Sequence, residues 1–338
     1  MKSNFNPTLL LVSIFLCSCS TSPEKKPGTQ SVTAKSGASS KSDSAKNRKP
    51  VESTEEVDTD SVDWDLEEAM FNVPDKVAYT EYKDLYQVPD KSKSNVNSLA
   101  RESLSKTSGD DLKLLTDSDD PIDRGSALCE LNKADEGLKW LDDHYAAFKA
   151  HPPFWNAIGI CYLKLKAPRK ALLYFNKALE INEQYAPAWN NLGVLYLQED
   201  QDQKALVAFE KAEGFNKFSQ TPTYNLAFLY LEYGFVEKAE KYFLTLLQSA
   251  PNDQELKIGM AISQLLQKKV DVALKSFSEV DSDAWERPDV GINYAVALYL
   301  GNAKDKARKV FSKVDISKNI NFKDYYKRTG KLVGDTDA

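Results

Sequence analysis

Four cysteines, two histidines and a scatter of carboxylates are the side chains of this 338-residue sequence with the means to do chemistry. Cys17 and Cys19 close an apolar run near the start, while Cys129 and Cys161 lie far downstream. Thiols can be acylated, oxidised to a disulfide or simply buried as small apolar groups. His144 and His151 are the only imidazoles, which excludes a multi-histidine metal site and any repeated histidine acid–base design. Asp117, Asp119, Asp120 and Asp123 cluster, but without the glycine and terminal glutamate of a calcium loop, so helix capping and solvation explain them better. The sequence contains no glycine-rich phosphate loop, Cys-x-x-Cys pair, His-Glu-x-x-His or Gly-x-Ser-x-Gly. No catalytic, cofactor-binding or metal-ligating residue is therefore assigned, and the expectation is a protein that is not an enzyme and takes no small-molecule substrate.

The balance of 44 basic against 50 acidic residues disfavours nucleic acid as a partner. Lys2 precedes the apolar run Leu9 to Leu16, which fits a signal-peptide core and falls far short of the ~20 residues that span a bilayer. The run ends in Leu16-Cys17-Ser18-Cys19, which resembles a bacterial lipoprotein signal. Cys19 is the better acceptor, because cleavage before Cys17 would place bulky Leu16 at the cut and cleavage before Cys19 places Ser18 there. The resemblance implies a signal peptide over 1–18 and a palmitate-type anchor on Cys19, with plain secretion as the alternative. Ser20 follows in place of the aspartate of inner-membrane retention, which implies the outer membrane, facing the periplasm. Residues 19–62 are rich in Ser, Lys, Thr and Pro and nearly devoid of large apolar side chains, so they read as a disordered tether. As a flexible coil it would reach roughly 35–40 Å.

Beyond the tether a 34-residue period begins, with units starting at Pro152, Ala186, Gln220, Gln254 and Pro288. Small residues recur at the eighth position (Gly159, Gly193, Ala227, Ala261, Ala295) and at the twentieth (Ala171, Ala205, Ala239, Ala273, Ala307). Phenylalanine fills the twenty-fourth position of all five units, as Phe175, Phe209, Phe243, Phe277 and Phe311. Such a pattern is what closely packed helical hairpins require. Trp155-Asn-Ala-Ile158-Gly159-x-x-Tyr162 and Trp189-Asn-Asn-Leu192-Gly193-x-x-Tyr196 resemble the first helix of the tetratricopeptide repeat. The resemblance implies an all-α, right-handed solenoid of helical hairpins that supports one another by stacking. It divides the chain into 63–117, an acidic, aromatic-containing segment with short helices; 118–151, a degenerate repeat; 152–321, five repeats; and 322–338, a capping helix and tail.

In that family the inner groove is lined by set positions of each first helix. Here they are the amides Asn190, Asn191 and Asn225 with the apolar Ile160, Leu163, Val194, Leu197, Tyr224, Phe228, Leu231, Ile258, Ile262, Leu265, Ile292, Val296 and Tyr299. The amides could hold the main chain of an extended peptide, or merely support the fold. A contiguous apolar lining points to a partner peptide or helix. Only Lys164 is basic among these positions in the first three good repeats, so capture of a terminal carboxylate is disfavoured. Cys129 and Cys161 fall on successive first helices, where they are either buried thiols or a disulfide.

Residues 62–88 carry Trp64, Phe71, Tyr79, Tyr82 and Tyr86 among acids, too aromatic for a plain linker. Three readings stand: packing on the solenoid in cis, a partner-binding arm, or disorder. The function expected is a lipid-anchored periplasmic scaffold that binds an envelope protein's peptide or helix in its groove for motility, pilus or cell-wall machinery. A type IV pilus assembly lipoprotein and a regulatory subunit of a cell-wall enzyme are the alternatives.

Overall fold

In the computed structural model the described residues are 83–87, 99 and 102–334. The chain divides into two units, Met1–Ser61 and Val62–Ala338, and all described residues fall in the second. The signal peptide, Cys19, the tether and Trp64, Phe71, Tyr79 and Tyr82 lie outside them.

Among the described residues all regular structure is helical. A short α1 (Gly109–Leu115) is followed by the hairpin α2 (Pro121–Glu130) and α3 (Ala134–Asp143) and the single turn α4 (Tyr145–Phe148). Five hairpins follow: α5 (Pro152–Lys164) with α6 (Pro168–Ile181), α7 (Ala186–Gln198) with α8 (Asp202–Phe215), α9 (Thr221–Glu232) with α10 (Val236–Ser249), α11 (Gln254–Leu266) with α12 (Val270–Ser278), and α13 (Pro288–Leu300) with α14 (Lys304–Phe311). The last helix, α15 (Lys323–Val333), packs on α13 and α14, where Tyr326 stacks on Phe311 and the Tyr325 hydroxyl donates to Asn293 Oδ1 at 3.1 Å. None of these helices is long and apolar enough to cross a membrane.

The period is written into the backbone. Proline sits in the first turn of α2, α5, α6, α7, α9 and α13, where its missing N–H costs nothing. Each hairpin turns through one residue of positive φ: Asn132, Lys166, Asp200, Gly234, Lys268 and Asn302, every 34 residues. The next residue's N–H then reaches back five residues, as Ala167 N to Tyr162 O at 2.9 Å and Gln201 N to Tyr196 O at 2.7 Å, which ties off the helix end.

In the units that begin at Pro152 and Ala186 the small residue and the phenylalanine are partners. A Cβ added to Gly159 would stand 2.4 Å from Phe175, and one added to Gly193 would stand 2.4 Å from Phe209. The second helices bury one stripe at helical spacing, as Ala205, Ala208, Phe209 and Ala212 do in α8. The first helices are buried nearly all round, as in α9 from Tyr224 to Glu232. They are the middle layer, and part of what covers their inner face comes from the chain upstream.

Candidate functional site

Three first helices place asparagines side by side on the inner face. Asn191 Nδ2 donates to Asn156 Oδ1 at 3.0 Å, Asn190 Nδ2 to Asn191 Oδ1 at 3.2 Å, and Asn225 Nδ2 to Asn190 Oδ1 at 2.8 Å. All four amides are buried. A row of this kind persists only if its remaining donors and acceptors are met. Those of Asn190, Asn191 and Asn225 are met by a stretch of the same chain, residues 83–87.

Asn225 brackets Lys83: the Lys83 N–H donates to Oδ1 at 2.7 Å, and Nδ2 donates to the Lys83 carbonyl at 2.7 Å. Asn190 adds a second bond to that carbonyl at 3.1 Å. Asn191 brackets Leu85 in the same way, at 2.7 Å to the N–H and 3.0 Å to the carbonyl. In an extended strand residues i and i+2 present their main-chain groups to the same side. Asparagines on adjacent helices therefore read alternate residues, and no side chain of the strand enters those bonds.

The side chains are held separately. Lys83 is 1% exposed, with its ammonium 3.6 Å from the Tyr224 ring centroid and 3.4 Å from Asp253 Oδ2. Asp84 accepts from Ser103 Oγ at 2.9 Å, and the Tyr86 hydroxyl donates to Asp123. The Tyr86 N–H donates to the Glu102 carbonyl at 2.6 Å. Glu102 itself caps α9, accepting from Thr221 N at 2.9 Å and Thr221 Oγ1 at 2.8 Å, so the strand and its support share a residue. Beyond Leu85 a cleft of about 460 Å³ opens, bordered by Tyr185, Phe215 and Phe218, and Tyr185 donates to Gln87 Oε1 at 3.2 Å.

Two acidic side chains beside the strand are shifted. Burial pushes the Asp123 carboxyl up to about 6. Burial, then the neighbouring Asp84, pushes Glu130 up to about 7, against the pull of Lys164 at 2.9 Å. Burial pulls the Lys164 ammonium down, but Asp84 and Glu130 outweigh it and hold it above its ordinary value. Docking of the strand thus sets Asp84 beside the ion pair of the buried Glu130 carboxylate with the exposed Lys164.

Of the three readings of 62–88, packing on the solenoid in cis holds for residues 83–87, which lie over part of the apolar lining. Ile160, Leu163, Val194, Tyr224, Phe228, Leu231, Ile258, Ile262 and Leu265 are buried in one cluster that also takes in Leu99. Ile292 is buried, with Tyr299 packed beside it, in the C-terminal cluster; Val296 is buried in the central one, and Leu197 is partly covered there. Asn156, Lys83, Asp84, Glu102 and Asp253 are not among the expected site residues, and Asp123, expected only to cap or be solvated, accepts from Tyr86 instead. Asn156 and Asp123 were findable, since Asn156 precedes Asn190 by one period and Asp123 precedes Asn191 by two; Lys83, Asp84 and Glu102 lie upstream of the repeats. Cys129 and Cys161 are bonded, with Cα atoms 5.0 Å apart, and tie α2 to α5. Of the acidic cluster, Asp120 caps α2 by accepting from Ile122 N at 2.8 Å.

Two models of the tetratricopeptide repeat match the chain, over residues 152–185 and 174–207. No curated protein sequence matches. Among solved structures, the pilF protein of Pseudomonas aeruginosa is similar over 65% of this chain and 97% of its own, with a TM-score of 0.54 at 14% identity. The complex of Cut9 and Hcn1 from the APC/C is similar over 72% of this chain and 50% of its own, with a TM-score of 0.53 at 16% identity. At such identities the likeness is one of fold. Residues 152–207 thus match the tetratricopeptide repeat, and the 34-residue hairpin phase and recurrent left-handed turns carry the same helical-hairpin solenoid fold along the described chain.

Proposed function

We propose that this protein is a lipid-anchored adaptor of the bacterial envelope whose groove receives an extended peptide. The observation that carries the reading is the bracketing of Lys83 and Leu85 by Asn225 and Asn191. Those bonds go to main chain only, so they would serve another extended segment as well as the internal one. The anchor rests on Leu16-Cys17-Ser18-Cys19 and on the low-hydrophobicity stretch that follows it. A disulfide between Cys129 and Cys161 suits an oxidising compartment such as the periplasm. On this reading Cys19 fixes the protein to the outer membrane, the tether spans the gap and the solenoid presents its groove to a partner of pilus, motility or cell-wall machinery. The chain's own residues supply recognition and no catalysis.

The experiment pairs localisation with contact. Cys19→Ala should leave an unprocessed or soluble form that no longer incorporates labelled fatty acid. A photo-crosslinking residue at Leu197 should join the anchored protein to an envelope partner and lose that adduct in the Cys19→Ala chain. A Cys19→Ala protein that still takes up fatty acid and fractionates with membranes refutes the anchor. Absence of any adduct in the anchored protein refutes the adaptor role.

A further inference from the structure

We propose that the groove selects for lysine: the face of Tyr224 and the carboxylate of Asp253 form a pocket for the ammonium group of an extended peptide. Lys83 is its resident occupant, and the incoming ligand is a partner segment of the same pattern, lysine followed by leucine two residues on and tyrosine three on. The inference rests on the peptide-groove reading above, and adds to it what decides which peptide enters.

Lysine is almost never fully buried unless paired, yet Lys83 is 1% exposed. If the strand needed only to be covered, an apolar side chain would serve, since a buried ion pair is no more stabilising than a well-packed apolar pair. What the pair supplies is discrimination, because an uncharged side chain takes away the cation that both Asp253 Oδ2 and the Tyr224 face meet. The pocket is also built before a ligand arrives. Phe228 lies 4.6 Å from Tyr224 between centroids and meets Phe243 edge-on at 4.9 Å, which fixes the ring. Asp253 caps α11 through Oδ1, accepting from Leu256 N at 3.2 Å, and so presents Oδ2 to the ammonium at 3.4 Å. Main-chain bonds from the asparagines give hold without sequence preference, and the pocket adds the preference. Leu85 and Tyr86, 3% and 4% exposed, complete the pattern.

The test uses the full chain carrying Lys83→Ser and Leu85→Ser, which weakens the internal occupant, and a fluorescent peptide of residues 78–87. Saturable binding is expected by fluorescence polarisation. It should weaken roughly tenfold when the peptide lysine is changed to alanine, and equally when the protein carries Asp253→Asn. Asparagine keeps the helix cap and removes only the charge. Equal binding of parent and alanine peptides overturns the lysine pocket while the peptide groove stands. No binding of either peptide to a chain that circular dichroism shows folded overturns both. Should the double variant fail to fold, hydrogen exchange of the Leu85 amide is measured in the otherwise native chain. Lys83→Met and Asp253→Asn should each speed it about tenfold and Lys83→Arg should not; a methionine variant as protected as the parent overturns the proposal.

Discussion

Asn191 is the residue on which the docked strand most depends. It meets both main-chain groups of Leu85, accepts from Asn190 and donates to Asn156, so its loss strands buried groups on two helices and the strand. Asn191→Ala should cost about 2–4 kcal/mol in urea unfolding. It should also expose the Lys83 peptide bond, so that trypsin cuts there sooner than in the parent; an unchanged cutting rate would contradict the docked arrangement. Glu130 and Asp123 act through pH. Both have folded values above their ordinary 4.5 and 3.8, at about 7 and about 6, so the folded state keeps protons that the unfolded chain has released. Their contribution is fully present below about pH 4 and is lost as pH rises through 6 and 7. Glu130→Gln should remove its share: the parent should gain roughly 1–3 kcal/mol on the variant between pH 8 and pH 5. A stability difference that does not change with pH would count against this.

At the scale of elements, the hairpin is the unit of cohesion. Phe209 is fully buried and fills the space that Gly193 leaves open. Phe209→Ala should cost about 3–5 kcal/mol, and the loss should spread to the α5–α6 and α9–α10 hairpins, because a solenoid unit is stabilised mainly by its neighbours. A circular dichroism melt that matches the parent's would refute that packing. The period of Phe and Ala was legible in sequence because each residue repeats one local contact. The left-handed turn residues were not, since Asn132, Lys166, Asp200, Lys268 and Asn302 are not glycine and only Gly234 shows the usual signal. Glu102 was equally hidden. It caps α9 from 119 residues away, and no helix-start rule looks so far.

For the whole molecule, the Cys129 to Cys161 bond closes a loop with a sequence separation of 32 and joins the first hairpin to the repeats. That hairpin bears Asp123 and Glu130, which stand beside Tyr86 and Asp84 of the strand. Cys129→Ser with Cys161→Ser should lower stability by about 3–4 kcal/mol. It should also raise hydrogen exchange in 83–87 along with 121–143; exchange raised in the hairpin alone would show that the strand is held by the asparagines without it. The sequence by itself determined the all-helical class, the repeat phase, the recurrence of small residues and of Phe, and the candidate asparagines, because each follows from spacing within one repeat. It also marked 62–88 as too aromatic for a linker, with packing on the solenoid in cis as one of three readings. Only the tertiary structure decided that residues 83–87 lie along the asparagine row, that Lys83 is buried against Tyr224 and Asp253, and that the two cysteines bond. Those pairings join residues tens to more than a hundred positions apart, and no local period or propensity encodes a contact that forms only when the chain folds back on itself.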